Sequence, residues 1–65
     1  MADDALKAAL LADLEILNLE LTRLGVGAVI SDAAASLYPV DELPALIAAT
    51  RHHLRHTAEQ LGGLA

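Results

Sequence analysis

Five leucines, Leu10, Leu14, Leu17, Leu21 and Leu24, recur at 4-3-4-3 spacing. That spacing is a heptad seam and predicts an amphipathic helix over about 4–24. Asp3 or Asp4 can cap its start, and acidic residues there suit the positive end of the helix dipole. Gly25, followed by Gly27, stands where a glycine ends a helix. A second seam, Leu43, Ile47, Thr50, Leu54, Thr57 and Leu61, predicts a helix over about 42–61. Its signals are Asp41 as N-cap, Val40 packing on the first turn, Pro44 at the third helical position and Gly62-Gly63 as a stop.

The stretch Gly25–Asp41 between the seams is too long for a structureless connection in a small domain. Val26, Val29 or Ile30, Ala33 and Leu37 keep a helical period, and Pro39 closes the run. A short connecting helix is predicted over about 28–38, with Ser31 and Asp32 as an alternative start. The β-branched Val29-Ile30 pair suits a strand, but a lone strand has nothing to pair with. The pattern therefore predicts an all-α fold in one small domain, 1–65: a helical hairpin with a short connecting helix. Its expected core is Leu10, Leu14, Leu17, Leu21, Leu24, Ile47, Leu54 and Leu61.

The first helix carries a further stripe. Ala5, Ala9, Ala12, Ile16 and Leu19 also follow 4-3-4-3 spacing, on the side opposite the leucine seam. A helix apolar on two sides is normally buried on two sides. The short helix could cover this stripe, or a second chain could. A second chain is the reading that predicts a homodimer, with two hairpins forming a helical bundle that uses coiled-coil-like Leu layers. The stripe is thus the candidate interface.

Composition sharpens this picture. Leu and Ala supply fourteen residues each of 65, an alphabet that favours helix over strand. There is no Cys, so no disulfide reinforces a core this small. Four Lys and Arg against nine Asp and Glu give a net charge of −5, which disfavours nucleic acid and anionic membrane surfaces as partners. No uncharged run exceeds eight residues, far short of the roughly twenty of a membrane span. The acidic Met1-Ala2-Asp3-Asp4 start does not resemble a secretory leader. The expected location is cytoplasmic. Opposite charges predict pairing of Asp13, Glu15 or Glu20 with Arg51 and Arg55, in a hairpin or a dimer.

Few residues suggest chemistry. His52 and His56 stand four apart on one helical face, with Glu59 at i+7 from His52, so these three are the candidate metal ligands. His53 and His56 form an alternative pair. A further ligand would have to come from the first helix or a second chain. Ser31 and Ser36 have no adjacent base in the sequence, and Gly25-x-Gly27 lacks the rest of a phosphate-binding loop. Tyr38, before Pro39, is expected to pack at a helix end. A helix-turn-helix would need basic or amide residues where the second long helix instead begins Asp41-Glu42-Leu43-Pro44. No catalytic residue and no cofactor is predicted. The expected function is a non-catalytic protein–protein interaction module: an adaptor, assembly factor, docking or regulatory subunit acting as a homodimer. The alternatives are a metal-binding bundle built on His52 and His56, and a small acidic inhibitor protein.

Overall fold

A computed structural model describes residues 2–64, with side chains placed for 3–62. Three helices account for most of it: α1 (Ala2–Arg23), α2 (Asp32–Ala35) and α3 (Leu43–Leu64), the last entered through a 3-10 turn at Val40–Glu42. The described residues contain no strand. The arrangement is the expected hairpin-like pairing of two long helices around a short connecting one.

Helix α1 ends where Gly25 adopts φ +78°, the left-handed conformation that glycine tolerates best. The Val26 N–H then donates to the Leu21 carbonyl and the Gly25 N–H to that of Thr22, each at 3.0 Å. This is the paired 6→1 and 5→2 closure that satisfies two otherwise orphaned helix carbonyls. Asp3 and Asp4 lie inside the first turn rather than capping it. The cap position itself, Met1, lies outside the described residues.

From Val26 the chain returns along α1. Helix α2 is shorter than the predicted 28–38 and begins at the alternative start. Ser31 caps it, with Oγ accepting from the Ala34 N–H at 3.1 Å and the backbone carbonyl accepting from Ala35 at 2.9 Å. The helix starts no earlier because Ser31 is extended, with φ −71° and ψ 156°; just before it the Ile30 carbonyl accepts from the Asn18 side chain at 3.0 Å. Tight i→i+3 turns through Leu37 and Tyr38 end the helix before Pro39, which lacks an N–H and disfavours helix in the residue preceding it.

Two expectations about α3 need correction. Asp41 does not cap it. The residue lies within the 3-10 turn, and the Leu43 N–H donates to the Val40 carbonyl. Pro44 therefore falls at the second position of α3, where its missing donor costs nothing. Gly62-Gly63 does not stop the helix, which runs to Leu64. A glycine ends a helix by turning left-handed, and among the described residues only Gly25 does so.

The core is a cluster of Leu14, Ala35, Leu43 and Ile47, with Leu10, Leu11, Leu17, Ile30 and Leu46 packed against it. Leu21 and Thr50 are also fully buried. Thr50 satisfies its hydroxyl within its own helix by donating to the Leu46 carbonyl at 2.9 Å. Leu24 and Leu54 are half-buried, whereas Leu61, expected in the core, is 41% exposed. The Cα trace explains this. It measures 47 × 16 × 14 Å, whereas a 22-residue helix is only about 33 Å long. The start of α3 packs beside the middle of α1, so the two helices overlap over part of their length. From Ala58 to Gly62 every residue of α3 is exposed.

Candidate interaction surface

Leu14 and Leu21 fix which side of α1 faces inward, since both have no accessible surface. Successive helical residues turn by about 100°, so Ala5, Ala9, Ala12, Ile16 and Leu19 point the opposite way. All five are exposed, with Ile16 at 60% and Leu19 at 58%. Helix α2 does not cover them, because Ala35 packs into the Leu14 cluster on the other side of α1. Leu6, 52% exposed, flanks the same surface.

The surface is graded along its length. Its N-terminal half offers the small side chains of Ala5, Ala8, Ala9 and Ala12. Its C-terminal half offers Ile16 and Leu19 and ends on Arg23. A shallow open depression of about 380 Å³ lies there, lined by Ile16, Leu19, Glu20, Thr22 and Arg23. One helix supplies all five residues, so the depression is a relief of the helix surface and not an enclosed pocket. Arg23 Nη1 donates to Glu20 Oε1 at 3.0 Å across its rim. Both side chains are largely exposed, so the pair adds at most about 1 kcal/mol. It is the only ion pair among the described residues. The expected pairing of Asp13, Glu15 or Glu20 with Arg51 and Arg55 is therefore not formed within the chain, because these side chains all point to solvent.

The back of α1 holds a polar feature that the hydrophobic pattern concealed. Asn18 Nδ2 donates to the Ile30 carbonyl and to Asp32 Oδ1, both at 3.0 Å. Both partners are acceptors, which fixes the amide with its NH₂ group toward them. Its buried Oδ1 accepts no bond from the described residues. The side chain thus fastens the returning segment to α1 and leaves the far surface of the helix open. The sequence contained a signal for it: Asn18 is an amide among leucines on the seam side, and Asp32 opens the short helix.

The histidines lie on α3. His52, His56 and Glu59 are exposed and His53 is half-buried. Among the described residues no three His, Cys, Asp or Glu side chains gather as a metal site. Tyr38 is 40% exposed beside Leu37 at 85%, so neither closes a helix end tightly. No described helix is long and apolar enough to cross a membrane. No protein-family model, curated protein or solved structure matches this chain.

Proposed function

We propose that this chain is a non-catalytic protein–protein interaction module of the cytoplasm, an adaptor or docking element that self-associates through the exposed apolar side of α1. The observation that carries the reading is the exposure of Ile16 and Leu19, each more than half accessible, on the side of α1 turned away from the core, with Leu6, also more than half accessible, at the edge of that strip. Single exposed leucines are ordinary, but a continuous apolar strip along one helix is a recurring mark of association.

The scale of the effect follows from the exposures. Fully burying a Leu or Ile side chain contributes about 1.5–3 kcal/mol, so covering the exposed half contributes roughly 1 kcal/mol. Six such side chains in a symmetric pair give about 6 kcal/mol before the alanines are counted. Association itself costs about 4–15 kcal/mol in lost freedom. The two are of similar size, so self-association is modest and depends on protein concentration.

The test is sedimentation or light scattering over a concentration series for the parent and for Ile16→Glu. A carboxylate placed in the contact loses its hydration without gaining a partner. The parent shifts from monomer to dimer as concentration rises, and Ile16→Glu remains a monomer of unchanged helicity. A parent that is monomeric at millimolar concentration contradicts the reading.

A further inference from the structure

Two features of the exposed side of α1 point to one geometry: its gradient of side-chain size and the placement of its charges. We infer that the occupant of this surface is the α1 helix of a second copy, lying antiparallel with the two-fold axis near Ala12. This inference rests on the self-association proposed above and adds its partner, direction and register.

Size comes first. The strip is small at Ala5, Ala8 and Ala9 and large at Ile16 and Leu19, all of them exposed. A parallel pair would set Ile16 and Leu19 against their own copies and alanine against alanine. The helices would then be pushed apart at one end and separated by a gap at the other, forfeiting close contact. An antiparallel pair about Ala12 sets Ala5 opposite Leu19 and Ala9 opposite Ile16, so one close spacing serves the whole length. The contact is self-complementary and closes at two chains.

Charge points the same way. Glu15 flanks one edge of the strip, and Asp13 and Glu20 flank the other. Parallel packing brings unlike edges together and confronts Glu15 with the acids of the second copy. Antiparallel packing brings like edges together, with Glu15 beside Ala8 and Glu20 beside Leu6 of the second copy. Only Asp13 then approaches its own counterpart. Arg23, whose side chain is 77% exposed, comes level with the acidic first turn of the second copy, where Asp4 borders the strip. The helix dipoles also oppose one another in this arrangement.

The depression lined by Ile16, Leu19, Glu20, Thr22 and Arg23 falls opposite the N-terminal turns of the second copy. Leu6, 52% exposed and on the matching edge, comes beside Glu20 at its rim. A single arrangement thus covers all the large apolar side chains that α1 leaves in solvent.

Disulfide trapping tests the register, because the chain has no cysteine of its own. Under mild oxidation, Ala12→Cys forms a covalent dimer with itself. Ala5→Cys and Leu19→Cys each fail to do so alone, but their equimolar mixture gives the crossed dimer, since a disulfide requires Cα atoms within about 7 Å. In a second arm read by sedimentation, Arg23→Glu weakens association by about tenfold and adding Asp4→Lys restores it. Self-linking of both Ala5→Cys and Leu19→Cys would overturn the antiparallel register while leaving self-association intact. A dimeric parent in which none of these variants cross-links would overturn the choice of surface. A parent that stays monomeric would overturn both this inference and the proposed function.

Discussion

Replacing Asn18 by Asp exchanges an NH₂ group for an oxygen at the point where α1 holds the returning chain. Both hydrogen bonds are lost, one to the Ile30 carbonyl and one to the Asp32 carboxylate. A neutral bond contributes about 1 kcal/mol and one to a charged group about 1.5–3 kcal/mol. The substitution also sets a second carboxylate about 3 Å from the first, where like charges raise the pKa of the pair. The total, about 4 kcal/mol, equals the roughly 3–5 kcal/mol that a single core of this size supplies. The variant is therefore expected to be largely unfolded at pH 7.

Acid should restore it. The introduced carboxyl group has a folded-state pKa above its unfolded value of about 3.9, so the folded state holds its proton more tightly. The destabilisation is complete above the folded pKa and fades as pH falls through that value toward 4, where the protonated group can donate again. Asn18→Ala loses the two bonds without adding charge, so it destabilises by about 2.5–4 kcal/mol with little dependence on pH. Circular dichroism melts of the parent and both variants between pH 4 and 7 distinguish these outcomes. If Asn18→Asp melts like the parent at pH 7, Asn18 does not hold the segment and the account of α2 fails.

Other substitutions probe the remaining contacts. Leu14→Ala opens a cavity in the central cluster and should cost about 2–5 kcal/mol, enough to abolish the cooperative melt, whereas Leu61→Ala, at an exposed position, should stay within about 0.5 kcal/mol. Ser31→Ala removes the cap of α2 and should lower stability by about 0.5–2 kcal/mol in the same melts. Zinc should leave the melting temperature unchanged in the parent and in the His52→Gln, His56→Gln variant. A rise confined to the parent would instead establish a site at these histidines.

The long helices could be read from the sequence because their apolar period is strict and Gly25 marks a true left-handed turn. Leu14, Leu21 and Ile47 are buried as their seam positions imply. Less legible was everything set by how far the helices overlap. Leu61 keeps the period but lies beyond the packed stretch of α3. Leu43 and Thr50 share its seam, and their complete burial depends on α3 starting beside the middle of α1. Ala35 was unreadable because alanine fits core and surface equally well. Asn18 reads only as a polar position, since its partners Ile30 and Asp32 come near only after the chain reverses at Gly25. The exposed strip of α1 was readable in outline, as a second apolar period. The sequence alone could not show that α2 packs on the opposite side and leaves that strip open.

Self-association through α1 is tested most simply by the solution mass of the parent chain from tens of micromolar to millimolar concentration, with Ile16→Glu measured beside it. The parent is expected to pass from one chain to two, with a melting temperature that rises over the same range, while Ile16→Glu keeps the mass of one chain and its helicity. One mass for both proteins at every concentration, with melting temperatures that do not move, would contradict it.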